Sequence, residues 1–120
     1  MTKQALIVDD SPSMRSVVSH CLTKMGMAVD EASGGRSGLE KARKKQYDVV
    51  VTDQNMPGME GLELVKSLRL MPAYATTPII VLTTETSDEM KLAFRQAGAN
   101  GWMSKPFTSE RMSAAIAKLL

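Results

Sequence analysis

Short apolar runs that stop at polar residues limit this chain's fold more than any other feature. Ala5-Leu6-Ile7-Val8 stops at Asp9-Asp10, and Val49-Val50-Val51 leads to Asp53. Ile79-Ile80-Val81-Leu82 stops at Thr83, and the short run at 101–104 stops at Lys105-Pro106. A weaker run lies at 27–32. Runs that are apolar throughout, rather than alternating, suit strands buried on both faces. Between them lie longer stretches with helical periodicity. Met14, Val17, Val18, Cys21, Leu22 and Met25 define one apolar helix face, with Ser11 as N-cap, Pro12 at the first turn and Gly26 as stop. Ser33-Gly34-Gly35 opens a second helix carrying Leu39 and Ala42. Its basic last turn (Lys41, Arg43, Lys44, Lys45) suits a helix C-terminus and reads as solvated. Leu64, Val65, Leu68 and Met71 mark a third helix closed by Pro72. Thr86 and Glu89 read as a capping box before Met90, Ala93, Phe94 and Ala97, with Gly98 as stop. Met112, Ala115, Ile116 and Leu119 make the last helix.

Five strands alternating with five helices predict an α/β fold, a parallel sheet covered on both faces. The chain has 120 residues, the size of one domain. Fifteen basic and thirteen acidic residues leave a net charge of +2, too weak a balance for a nucleic-acid binder on composition alone. One cysteine, Cys21, excludes an internal disulfide and a multi-cysteine zinc site. His20 and Cys21 are neighbours on one helix and face different sides, so they make a poor metal pair. Ten methionines are many for this length; Met14, Met25, Met90 and Met112 fall on apolar helix faces and read as core filling. No apolar run nears the roughly 20 residues of a membrane span. Met1-Thr2-Lys3-Gln4 leads straight into a strand rather than a signal core. A soluble, cytoplasmic domain is expected.

In a parallel sheet all carboxyl ends share one edge. Asp9 and Asp10, Asp53, Thr83 and Lys105 therefore converge there, where open α/β sheets bind ligands. Three carboxylates that close raise one another's pKa unless they are neutralised. Lys105 supplies one charge, and a hard divalent cation the rest. Oxygen ligands favour Mg²⁺, with Mn²⁺ or Ca²⁺ as substitutes, over zinc. Mere helix capping by the three aspartates is the plain alternative.

These residues give the chain a resemblance to response-regulator receiver domains over essentially its whole length, nearest the stand-alone chemotaxis type. The acidic pair Asp9-Asp10, the segment Asp53-Gln54-Asn55-Met56-Pro57-Gly58-Met59-Glu60-Gly61, Thr83, and Lys105-Pro106 carry it. The resemblance implies a flavodoxin-like fold with strand order 2-1-3-4-5 and a single receiver over residues 1–120. It implies Asp53 as phosphoacceptor from a phosphohistidine donor. Asp10 and Asp53 would bind Mg²⁺ directly, Asp9 largely through water, and Asn55 through its backbone carbonyl. Thr83 and Lys105 would hold the phosphoryl group, and Trp102 would stand where the family's switch aromatic, usually Tyr or Phe, turns inward. Asn55 and Glu85 would tune dephosphorylation toward the fast chemotaxis type. The peptide before Pro106 would be cis. Implied partners are a sensor histidine kinase or phosphotransfer domain, and a downstream protein such as the flagellar motor switch, met through the helix 4–strand 5–helix 5 face. Direct nucleic-acid binding, membrane insertion and enzymatic turnover are not expected, and a monomer is.

Three alternatives stay open. The chain suits equally a receiver cut from a larger regulator or hybrid kinase. A Mg²⁺-dependent aspartyl-phosphate phosphatase of the haloacid dehalogenase type also uses an Asp after a strand, but it places a second Asp where this chain has Asn55. A flavodoxin-like flavin binder would need a Ser/Thr/Gly-rich loop where Asp9-Asp10 stands.

Overall fold

The computed structural model describes residues 2–85 and 87–120. Five parallel strands form one sheet: β1 (Gln4–Val8), β2 (Ala28–Ala32), β3 (Val49–Asp53), β4 (Ile79–Thr83) and β5 (Gly101–Ser104). Their order is β2-β1-β3-β4-β5, as the resemblance implied. The helices are α1 (Pro12–Lys24), α2 (Gly35–Lys44), α3 (Gly61–Arg69), α4 (Asp88–Ala97) and α5 (Ser109–Leu119), with a 3₁₀ turn at Pro72–Tyr74.

Alternation along the strands builds two cores. Ala5, Ile7, Val49, Val51, Ile80 and Leu82 point to one face, where Val18, Cys21 and Leu22 of α1 and Met112 and Ile116 of α5 cover them. Leu6, Val8, Val50, Ile79 and Val81 point to the other, under Leu39, Leu64, Leu68 and Phe94 of α2, α3 and α4. The central strands β3 and β4 are buried at every position, whereas edge strand β2 is mostly half-buried, which explains its weaker pattern in the sequence. Of the helix-face methionines, Met112 is fully buried, while Met14, Met25 and Met90 pack on the core margins. His20 is exposed and Cys21 is buried and free.

The end signals hold where side chains can be followed. Ser11 Oγ accepts from Met14 N at 3.3 Å with Pro12 opening α1, and Gly26 follows the helix with φ +88°. Gly98 ends α4 in the left-handed region at φ +106°, where glycine has no Cβ to clash. Two expectations are corrected. Val17 is 48% exposed, so the apolar face of α1 is narrower than its periodicity suggested. Met71 is extended (φ −90°, ψ 121°) and outside α3, because a residue before proline is driven from the helical region. The basic end of α2 is exposed, as expected, and two of its lysines also make surface contacts: Lys41 donates to the Glu31 carbonyl, and Lys45 Nζ lies 3.0 Å from Asp30 Oδ2. Thr86 of the expected capping box lies outside the described residues; Ser87 is the N-cap of α4 and accepts from Met90 N.

Candidate functional site

Parallel register sets the carboxyl edge of the sheet. Val8 pairs with Thr52, Asp53 with Leu82, and Thr83 with Ser104, so the chain leaves β1, β3, β4 and β5 at one level. Asp9, Asp10 and Asp53 each offer a carboxylate oxygen, and these oxygens lie within 4.8 Å of one another. Asp9 is 1% exposed and Asp53 3%, while Asp10 faces solvent. Lys105 Nζ donates to Asp53 Oδ1 at 2.8 Å and stands 3.8 Å from Asp9 Oδ2. The Lys105–Pro106 peptide is cis.

One ammonium cannot balance three carboxylates. Burial pushes the Asp9 carboxyl above the usual range, the Ser11 amide (2.9 Å to Oδ1) pulls the other way, and Asp53 adds to the rise. Asp9 Oδ2 is buried and accepts no hydrogen bond among the described residues. An orphaned anionic oxygen beside two more carboxylates is the donor set of a hard divalent cation, so the residues fit Mg²⁺.

The other expected residues are distributed around this acidic centre. Thr83 is fully buried, and its hydroxyl is engaged with its own loop, accepting from Glu85 N at 2.8 Å and donating to Glu85 O at 3.2 Å. To donate to any other group the hydroxyl must turn its hydrogen away from the Glu85 carbonyl. Asn55 and Glu85 are exposed at the rim, with Asn55 Nδ2 at 3.5 Å from Thr84 Oγ1. Trp102 is half-buried on β5 against the α2/α3/α4 core, and the Arg95 guanidinium lies 5.7 Å from its ring centroid. Its indole therefore sits on the α4–β5 surface rather than in the acidic pocket.

Two contributors were not singled out from the sequence. Arg15 donates from Nη1 to the Asp9 carbonyl at 2.7 Å and pairs with Glu31, which steadies the first acidic turn. Gln54, next to Asp53, is 3% exposed and holds the β3–α3 loop closed. Gly61 meets that loop at its far end: a Cβ there would strike the Asp53 carbonyl oxygen. A polar residue amid a run of site residues was the available signal for Gln54. For Arg15 there was none, since its partner Glu31 is sixteen residues away.

Comparison with known proteins agrees with this geometry. A family model described as the response regulator receiver domain matches residues 5–117. Chemotaxis protein CheY-3 of Vibrio cholerae is 37% identical over 115 residues, covering 95% of this chain and 88% of that protein. Chemotaxis protein CheY of Pseudomonas aeruginosa is 34% identical, covering 95% and 93%. The solved structure of Vibrio cholerae chemotaxis protein CheY4 superposes with a TM-score of 0.96 at 44% identity, covering all of both chains.

Proposed function

The chain belongs to the response regulator receiver family, and from that premise we propose that Asp53 is the phosphoacceptor of a two-component signalling switch. The observation that carries this reading is the Lys105–Asp53 pair beside an Asp9 oxygen that accepts no hydrogen bond among the described residues. Lys105 holds Asp53 Oδ1, which leaves Oδ2 to attack phosphorus in line. The new bond joins Asp53 Oδ2 to phosphorus as the phosphorus–nitrogen bond of a phosphohistidine donor breaks, and the imidazole leaves. Asp9, Asp10, Asp53 and the Asn55 carbonyl would hold Mg²⁺, which when bound neutralises charge on the transferring phosphoryl oxygens. Lys105 supplies the rest of that neutralisation. Thr83 leaves its turn with Glu85 and donates to a phosphoryl oxygen. The released loop after β4 then alters the α4–β5–α5 surface that carries Trp102 and Arg95.

On this reading the chain accepts and loses a phosphoryl group without turning over a substrate. Asn55 and Glu85 at the rim steer the attacking water. The likeness to chemotaxis regulators supports a histidine kinase or phosphotransfer domain as donor, and a cytoplasmic motor-type protein as receiver of the signal. The whole described fold acts as one receiver. Asn55 stands where a phosphatase would need its acid, so many turnovers are not expected.

Incubation with acetyl phosphate and Mg²⁺, followed by intact-mass spectrometry, tests this. One phosphoryl adduct is expected, absent in Asp53→Asn. Steady phosphoester hydrolysis with no adduct would overturn the reading.

A further inference from the structure

We propose that Gln54 is a positioning residue for the chemistry at Asp53, acting through the loop that carries Asn55. This rests on the reading of Asp53 as phosphoacceptor. Gln54 uses every kind of polar group it has. Its N–H donates to the Leu82 carbonyl at 2.9 Å, continuing the β3–β4 pairing one residue past the strand, and its carbonyl accepts from Gly61 N at 3.1 Å. Its side-chain Oε1 accepts from Leu62 N at 2.8 Å, and Nε2 donates to Glu60 Oε2 at 2.7 Å.

These bonds serve α3 as a remote cap. Glu60, the N-cap residue, makes no side-chain cap of its own. The first free amides of α3, Gly61 and Leu62, are instead satisfied by Gln54, seven and eight residues upstream. The 60–62 end of the loop is thereby tied, through one main-chain and two side-chain bonds, to the buried residue at the loop's start. Gly61 lets the ends approach, since any Cβ would meet the Asp53 carbonyl. Asn55 leaves directly from this anchor. Its backbone has little freedom to swing away from Asp53, whatever the state of its exposed amide.

Loosening such a support moves the groups it orients, and outer-layer partners of this kind typically change affinity or activity by about 10–100-fold. The expected effect is selective. Gln54→Leu removes both side-chain bonds. Glu60→Ala removes one from the exposed side and leaves Gln54 in place. Tyr74→Phe serves as a control, because it deletes buried hydrogen bonds at the opposite edge of the sheet.

The experiment measures Mg²⁺ affinity by calorimetry, the rate of adduct formation from acetyl phosphate, and the melting temperature of each variant. Expected is about a tenfold loss in Mg²⁺ affinity and adduct rate for Gln54→Leu, a smaller loss of both for Glu60→Ala, and wild-type values for Tyr74→Phe despite its lower melting temperature. Wild-type affinity and rate in a folded Gln54→Leu would overturn the proposal and leave Asp53 as phosphoacceptor untouched. Equal losses in Tyr74→Phe would overturn it too, since any loss of stability would then suffice. Failure of the wild type itself to take up phosphate would remove the phosphoacceptor reading, and this proposal with it.

Discussion

The two edges of the sheet treat buried polar groups in opposite ways. At the amino edge they are satisfied. Tyr74 Oη lies 3.2 Å from Tyr47 N, whose hydrogen it accepts, and within 2.9 Å of the Ala42 and Lys45 carbonyls. Arg69 donates to the carbonyls of Gly98 and Tyr74 and to Asn100 Oδ1, which also accepts from Ile79 N. Tyr47 Oη donates to Asp30, and that bond, with Lys45, holds the Asp30 carboxyl below its usual range. At the carboxyl edge the acids outnumber their partners, Asp9 Oδ2 accepts no hydrogen bond among the described residues, and burial drives the Asp9 carboxyl upward. One edge lowers the energy of the fold. The other holds charge that the fold alone does not neutralise, as the proposed site for a cation and a phosphoryl group would require.

This contrast predicts mutations of opposite sign. The largest effect belongs to the amino edge. Arg69→Leu strips donors from three acceptors, two that tie α3 to the residues just before β5 and one in the turn after α3, and should cost about 3 kcal/mol in urea unfolding. A loss below about 0.5 kcal/mol, the range of surface substitutions, would dissolve the distinction between the edges.

A smaller effect of the other sign belongs to the carboxyl edge. Asp9→Asn keeps an acceptor for Ser11 N and removes one charge from the crowded centre. Without divalent cation it should raise stability by about 1 kcal/mol at pH 7. The pH dependence follows from the direction of the shift. The Asp9 carboxyl titrates higher in the fold than in the unfolded chain, so the fold favours its protonated form. That stabilisation is full below the unfolded value and is lost as pH rises through the folded one. The gain from Asp9→Asn should therefore vanish below about pH 4. A gain that persists there, or a loss at pH 7, would mean that the carboxyl edge is not under charge strain.

Legibility in the sequence divides along the same line. The carboxyl-edge residues follow their strands directly, so Asp9, Asp10, Asp53, Thr83 and Lys105 could be placed by topology alone. The amino-edge network could not. Arg69, Tyr74 and Asn100 meet across gaps of up to 31 residues, and nothing local marks them. Strand order came from family resemblance, because periodicity reports which strands are buried but not which are neighbours. Burial at the margins was also hidden: the spacing of Val17 matches that of Val18, yet only Val18 lies under the sheet. The hydroxyl of Thr83 was placed at the right strand end, but its turn with Glu85 depends on backbone geometry that residue type does not encode.

The most direct test of the account is a Mg²⁺ titration of thermal stability. If the carboxyl edge is an unneutralised cation site, Mg²⁺ at ten times its dissociation constant should stabilise the wild type by about 1.4 kcal/mol, a rise of several degrees in Tm. Arg69→Leu should show the same rise from a lower starting point, whereas Asp9→Asn and Asp53→Asn should show little or none. A wild-type Tm that does not move with Mg²⁺, or an equal rise in both aspartate variants, would contradict the account.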